Sequence, residues 1–394
     1  MKKQILFVIP SMRSGGAEKS LLTLLTLFDY EKYDVELLSF RHDGLFFDKL
    51  PPQVKLIGGN RDYEMFDGDA VNAVKYFIRS GKPISALERW KYSKLSAMED
   101  AHLRNEGQWK YLKKQLPKIK KHYDCAIGYL EGNANRFVAE CVAADKKICY
   151  IHNDIEKLGF DRVSDEAIFA CADKIVTVSQ ECKNSLCKHF PAYADKIEII
   201  ENITSRKILT EQGKSEAVYV RAEGETVICT VGRFSEQKNI PLAVRACAEL
   251  IKRGKKIKWY HIGSGNLKGD TEKELEACRV AESFILLGER ANPYPYIAQC
   301  DIYVQPSLFE GKSIAVDEAK CLCRPIVVTN FSTVYDQLED GVNGLICRMD
   351  ETDMADKIQL LIENPNERKR LSEELMSEKL GNEEEIFKLY ELIE

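Results

Sequence analysis

The 394-residue chain has no apolar run near the ~18–20 residues that a membrane-spanning helix needs, which argues against a helical integral membrane protein. The segment Met1-Lys2-Lys3-Gln4 has two lysines, but the apolar run behind it ends at Pro10. That is too short for a signal-peptide core and suits a first β-strand. No C-x-x-C pair occurs, and the thirteen cysteines are odd in number and scattered from Cys125 to Cys347. Many lie inside apolar stretches such as 148–151 and 227–231, where a reduced thiol acts as a small hydrophobe. Such usage predicts a reducing compartment, the cytosol. The six histidines show no metal-ligand spacing, and no short-period repeat is present.

What is present is ordinary for a globular chain: 44% hydrophobic and 30% charged residues. The length exceeds what one hydrophobic core usually organises, so two domains are expected. The net charge of −5 is unevenly spread. Between Lys75 and His122 stand thirteen Lys/Arg and four Asp/Glu, a local +9 that leaves −14 for the remainder. Tyr76, Phe77, Trp90, Tyr92, Trp109 and Tyr111 are interleaved with them. One reading is a solvated helical hairpin; the other is a face for anionic lipid headgroups, with Lys113, Lys114, Lys118, Lys120 and Lys121 among its contacts. The acidic remainder and the lack of a nucleic-acid motif speak against nucleic acid.

Short β-branched runs alternate with helix-period segments, the signature of parallel α/β structure. Strands are expected at 5–9, 35–40, 54–57, 125–129, 148–151, 175–178 and 197–200. A polar stretch from Thr204 to Glu225 reads as a linker, and a second series follows at 227–231, 257–262, 285–287, 302–305, 326–329 and 345–347. The result is two Rossmann-like domains, at 1–204 and 226–375, joined by a linker at 205–225 and followed by a terminal helix within 376–394. Ligands of such sheets bind beyond the carboxyl ends of the strands.

Three strand-end turns carry chemistry. After 5–9 comes Gly15-Gly16-Ala17-Glu18, where two glycines permit a tight turn and bare backbone ahead of a helix whose free N–H groups attract an anion. After 227–231 come Gly232, Arg233 and Lys238, with both cations expected to be exposed. Cations at a helix start oppose its dipole unless an anion lies between them, and an Arg fork with a Lys point charge suits a diphosphate. Two solvated surface cations are the plainer alternative. After 302–305 comes Glu310-Gly311-Lys312-Ser313-Ile314, with Ser313 a candidate N-cap and Glu318 about one and a half turns into the helix. The amides between the two glutamates suit phosphates, and each carboxylate suits a vicinal diol.

Taken with His152 after 148–151, these motifs resemble, in order and over nearly the whole chain, the family 4 retaining glycosyltransferases of the GT-B fold. The run 307–314 is similar to their bacterial capsule and surface-polysaccharide branch, with Lys312 where an aromatic is commoner. The resemblance implies two Rossmann-like domains facing across a cleft, with a C-terminal helix crossing back to the first. It also implies a retaining, metal-independent hexosyltransferase of class EC 2.4 without a cofactor. Its donor would be a nucleotide sugar, UDP-linked, on the C-terminal domain. Its acceptor would be a lipid-linked or polysaccharide hydroxyl in cell-envelope synthesis, at the inner face of the membrane. By resemblance, Arg233 and Lys238 hold the diphosphate, Glu310 and the amides of Gly311, Lys312, Ser313 and Ile314 hold the donor sugar, and Glu318 holds the ribose. Gly15, Gly16 and Gly232 permit close approach, His152 lines the reacting sugar, and the turn at Gly288-Glu289-Arg290 meets the base.

Other motifs point less far. Asp67-Gly68-Asp69 has the D-x-D form of metal-dependent enzymes but lies in a polar loop, and no metal is expected. The run from His261 to Lys268 begins like a dinucleotide fingerprint, yet Lys268 replaces its third glycine. Ile386, Phe387, Tyr390 and Ile393 fall at helical spacing in the terminal segment. The competing functional readings are a non-catalytic GT-B partner subunit and another GT-B enzyme, such as a sugar-nucleotide epimerase or phosphorylase.

Overall fold

Ile5, Leu6, Phe7, Val8 and Ile9 are all fully buried. Only a strand covered on both faces has no place for a polar residue, and parallel sheets bury their strands in this way. The computed structural model describes residues 2–13, 15–59, 61–158, 161–214 and 217–394. It divides into two units, one of Met1–Val178, Cys182–Ile200 and Ile386–Glu394, the other of Ser179–Glu181 and Glu201–Glu385.

The first unit is built on β1 (Lys3–Ile9), β2 (Tyr33–Ser39), β3 (Lys55–Gly58), β4 (His122–Gly128), β5 (Ala143–Ile151), β6 (Lys174–Thr177) and β7 (Ile197–Ile199). These form one parallel sheet in the order β3-β2-β1-β4-β5-β6-β7. Helices that bear on the site are α1 (Gly16–Leu27), α2 (Ala70–Arg79), α3 (Pro83–Leu95), α4 (Ala101–Leu112), α5 (Asn133–Cys141) and α6 (Arg162–Cys171). The basic segment is thus three helices, not a hairpin, because Pro83 opens a new helix and Asp100 caps another by accepting from the Leu103 N–H. Much of its charge is spent inside the unit: Lys82 pairs with Asp62, Lys113 with Glu140, Lys114 with Glu88 and Lys121 with Glu36.

The second unit opens on α7 (Arg206–Gly213) and carries β8 (Thr226–Val231), α8 (Ile240–Lys252), β9 (Ile257–Ile262), β10 (Phe284–Gly288), β11 (Ile302–Gln305), α9 (Ile314–Cys321), β12 (Ile326–Thr329) and β13 (Leu345–Cys347). Its parallel sheet runs β10-β9-β8-β11-β12-β13. The periodic face of α8 is buried at Leu242, Ala243, Ala246, Cys247 and Leu250. The segment 205–225 is not a free linker. Ser205 caps α7 through the Ile208 N–H, and Leu209 and Tyr219 enter the core beside Tyr294, Ile297 and Tyr303. Its polar composition reflects a surface layer anchored through a few side chains.

The chain ends in α10 (Glu385–Ile393), which belongs, from Ile386 on, to the first unit. Ile386, Leu389 and Ile393 face inward, whereas Phe387 is 63% exposed and turns away. Tyr390 stacks on Tyr33 with centroids 5.2 Å apart and meets Phe28 edge-on at 5.3 Å. Its hydroxyl accepts the Asp29 N–H at 2.8 Å. Tyr390→Ala removes this packing and strands the amide, so urea unfolding should show a loss of about 2–4 kcal/mol, against under about 1.5 kcal/mol for Tyr390→Phe.

Candidate functional site

In both sheets the strand order reverses beside the first strand of the unit, between β1 and β4 and between β8 and β11. At such a switch point neighbouring connections leave toward opposite faces, opening a crevice beyond the carboxyl ends of the strands. In the second unit the turns that flank this crevice follow β8, with Gly232, Arg233 and Lys238, and β11, with Glu310 through Ile314.

Glu310 is the hub of this half. Its buried carboxylate accepts from Lys238 Nζ at 2.5 Å, Ser307 Oγ at 2.6 Å and Gln237 Nε2 at 3.2 Å. Behind it a relay enters the sheet: Tyr303 Oη donates to Gln305 Oε1 at 2.7 Å, and Gln305 Nε2 donates to Ser307 Oγ at 2.9 Å. Burial holds the Tyr303 hydroxyl well above its ordinary pKa, so it remains a donor. Thr333 Oγ1 donates to the Glu310 carbonyl, and the Leu308 N–H to the Gln237 carbonyl, so the two turns are tied to each other. Lys238 departs from expectation. Its side chain is 16% exposed and paired with a carboxylate that is 6% exposed. Arg233 is exposed and makes no ion pair with a described residue.

The loop from Gly232 to Asn239 is constrained further. Asn239, the N-cap of α8, sits in the left-handed region at φ 45°, which Asn tolerates better than most residues. A Cβ on Gly263 would lie 1.9 Å from the Gly232 carbonyl oxygen, and one on Gly265 2.4 Å from that of Phe234. The two glycines of the dinucleotide-like run therefore let one turn lie backbone-to-backbone on the next.

Ser313 does begin α9, but its hydroxyl makes no capping bond. Gln337 instead fixes the Ser313 backbone, accepting the Ser313 N–H and donating to the Ser313 carbonyl, both at 2.9 Å. The Ser313 hydroxyl, in a residue 1% exposed, is left without a partner among the described residues. Gly311 is buried and Ile314 half-buried beside it. Glu318 is buried and accepts from Tyr294 Oη at 3.2 Å. Burial and the Glu318 charge hold Tyr294 protonated. Lys312 does not join this group. Its ammonium pairs with Glu201 and lies near Asp317, and these charges outweigh burial to raise its pKa. Arg290 is exposed just after β10, where its guanidinium donates to the Glu289 carbonyl.

In the first unit, Gly15 and Gly16 lie where α1 begins, and the Glu18 carboxylate curls over Gly15; a Cβ there would meet it at 1.9 Å. The anion favoured at this helix start is thus present as the chain's own carboxylate. Ser20 Oγ of α1 lies 2.9 Å from Tyr129 Oη, Tyr129 stacks on Tyr150, and the His152 ring lies 4.9 Å from Tyr129. The His152 N–H donates to Glu131 at 2.9 Å, and Asn153 Nδ2 to the same carboxylate at 2.7 Å. Of the D-x-D pair, Asp69 caps α2 and Asp67 pairs with Arg41.

Sequence reasoning missed Gln237, Tyr294, Gln305, Ser307, Gln337 and Glu131. Only Gln305 and Ser307 gave a signal: polar residues at the end of an apolar strand.

Against this geometry, known proteins are informative. The family model for Glycosyl transferases group 1 matches residues 211–376, most of the second unit. The chain is 25% identical over 372 residues to the Campylobacter jejuni N-acetylgalactosamine-N,N'-diacetylbacillosaminyl-diphospho-undecaprenol 4-alpha-N-acetylgalactosaminyltransferase, covering 94% of this chain and 92% of that protein. Among solved structures, Anabaena Alr3699/HepE in complex with UDP and glucose superposes with TM-score 0.70 at 15% identity, covering 99% and 98% of the two chains. Staphylococcus aureus TarM, in a complex containing UDP, gives TM-score 0.70 at 16% identity over 99% of each. These neighbours share the two-unit GT-B fold of the chain, and the family match falls within its second unit. No helix among the described residues is long and apolar enough to cross a membrane.

His261, fully buried behind the Gly232 turn with its ring 4.4 Å from Phe234, gives this half a pH signature. Burial lowers its pKa from 6.5 to about 3. Between those values the unfolded chain binds a proton that the folded one does not, so stability rises with pH there and is lost on acidification. Each pH unit below 6.5 should cost about 1.4 kcal/mol. Urea midpoints measured at neutral and mildly acid pH should show this slope in the wild type and its loss in His261→Phe.

Proposed function

We propose that this chain is a retaining, metal-independent glycosyltransferase that moves a sugar from a UDP-sugar to a hydroxyl of a lipid-linked or polysaccharide acceptor. The observation that carries the reading is the second switch point. There Arg233 and the buried Ser313 hydroxyl at the start of α9, neither with a partner among the described residues, and the Lys238–Glu310 pair surround one strand-end crevice. Structural neighbours crystallised with UDP support the choice of donor.

In this reading the diphosphate lies against Arg233 and Lys238, and the amides at the start of α9 supply further donors. Glu318, which also accepts from Tyr294, accepts from the ribose hydroxyls. Glu310 and the amides following it orient the donor sugar. The acceptor oxygen bonds to the anomeric carbon on the face from which the diphosphate departs. The carbon–phosphate oxygen bond breaks, and the departing oxygen takes the acceptor proton. Positioning and charge stabilisation carry the rate, with no enzyme nucleophile. The first unit supplies the acceptor side, where Gly15, Gly16 and His152 lie.

Arg233→Ala should lower turnover about 10²–10³-fold with stability unchanged to within about 0.5 kcal/mol. Lys238→Ala should lower turnover similarly but also cost about 3–5 kcal/mol, since it leaves the buried Glu310 carboxylate without its cation. Glu318→Gln should weaken UDP-sugar binding about tenfold to a hundredfold, while Glu310→Gln acts mainly on the single-turnover rate. Donor hydrolysis, urea unfolding and single-turnover kinetics separate these outcomes, and near wild-type transfer by both cation variants would displace the donor site.

The same reading places the acceptor side at an anionic membrane, through α2 and α3. Val71, Ile78, Ile84, Leu87 and Trp90 are exposed there beside exposed Lys75, Arg79, Lys91 and Lys94. Each cation near such a surface is worth about 1 kcal/mol. Flotation with anionic liposomes should require low salt, and should be lost in a Trp90→Ser, Lys91→Glu, Lys94→Glu variant that still binds UDP. Lys113→Glu and Lys114→Glu, at residues already paired with acids, should matter less.

A further inference from the structure

A cavity of about 380 Å³ opens in the first unit between α3, α4, the start of α5 and α6, within the range of small-molecule pockets. Its wall combines two kinds of surface. Tyr92 and the buried Trp109 supply aromatic area, and Glu131, Asp161 and Asp165 supply carboxylates. The one guanidinium, Arg136, is already committed: it donates to Glu106 at 2.5 Å and to Glu140 at 2.7 Å, and lies over the Trp109 ring at 5.3 Å. Trp109 Nε1 in turn donates to Glu140 at 2.8 Å. Asp161 is fixed by His102 and Ser164. Asp165 takes no side-chain hydrogen bond from a described residue, and burial together with Asp161 and Glu131 raises its pKa to about 6. The cavity therefore offers acceptors for hydrogen-bond donors and repels anions.

Glu131 gives the cavity its place in the unit. The carboxylate that lines it also fixes the backbone turn at His152, beyond the carboxyl end of β5.

We propose that this cavity is the subsite for one sugar residue of the acceptor, a residue bearing hydroxyl, acetamido or amino groups and carrying neither phosphate nor carboxylate. The inference rests on the first unit being the acceptor side. Aromatic area suits the C–H face of a pyranose, while Glu131, Asp161 and Asp165 accept from its hydroxyl or amino hydrogens. An amine entering beside Asp165 gains a charge partner; a phosphate or uronate meets three carboxylates and a guanidinium already held by two more.

Saturation-transfer NMR on the full chain tests this with methyl glycosides of N-acetylglucosamine, glucosamine and glucuronate, and with a hexose phosphate. The first two should show transfer and the last two should not. Asp165→Asn should weaken glucosamine-glycoside binding about tenfold. Asn133→Lys, at an exposed position on the rim, should admit the glucuronate and serves as the second variant if Asp165→Asn folds poorly. Anionic sugars binding as well as neutral ones, or no sugar binding, would overturn the proposal. Stabilisation by UDP, measured in parallel, separates the two readings: if it persists without sugar binding only the subsite fails, and if it is absent the donor assignment fails while the sugar results stand.

Discussion

An all-parallel sheet sends every strand the same way, so all of its carboxyl ends, and the turns that follow them, share one edge. Both units obey this constraint, and both reverse strand order beside their first strand. The chemistry then needs no long-range design within a unit. A charged residue placed a few positions after β8 and another after β11 meet at the crevice because the topology leaves them nowhere else to go. The Lys238–Glu310 pair is the product of that geometry. The relay from Tyr303 through Gln305 and Ser307 shows how the sheet interior holds it.

Ion pairs decide several of the finer assignments. A buried carboxylate is costly unless it is paired and hydrogen-bonded. Glu310 has three donors, which fixes its orientation before any ligand arrives. Lys312, two residues on, solves the same problem in another direction, through Glu201 and Asp317. Neighbouring residues in one turn thus face different partners, and the sequence string alone does not separate them.

The fold was legible because strands buried on both faces announce themselves as apolar runs. All thirteen expected strands are present, with ends displaced by a few residues, as at β4 and β5, where polar residues such as His122 and Lys146 sit in the strand. The turn at Gly232 was legible because cations at a helix start oppose its dipole, and the turn at Glu310 because two glutamates bracket the amides of a helix start. Three features were not. The segment 205–225 reads as polar because its buried apolar anchors, Leu209 and Tyr219, are few and widely spaced. The Ser313 hydroxyl does not cap, and Gln337, distant in sequence, holds the Ser313 backbone instead. The cavity of the first unit draws on α3, α4, α5 and α6, and its carboxylates Glu131, Asp161 and Asp165 are scattered among many surface acids with no spacing to mark them.

All thirteen cysteines are unbonded, six in the first unit and seven in the second. Cys125 and Cys149 in one, and Cys229 and Cys247 in the other, are buried, and burial pushes each thiol up to about 12. A thiol held that high has almost no thiolate at neutral pH and does not alkylate while its unit stays folded. Cys171, which is exposed, reacts without any opening. The chain therefore carries two sets of shielded thiols and an unshielded standard. Brief alkylation during denaturation, read peptide by peptide, would time the opening of each unit separately without an added label.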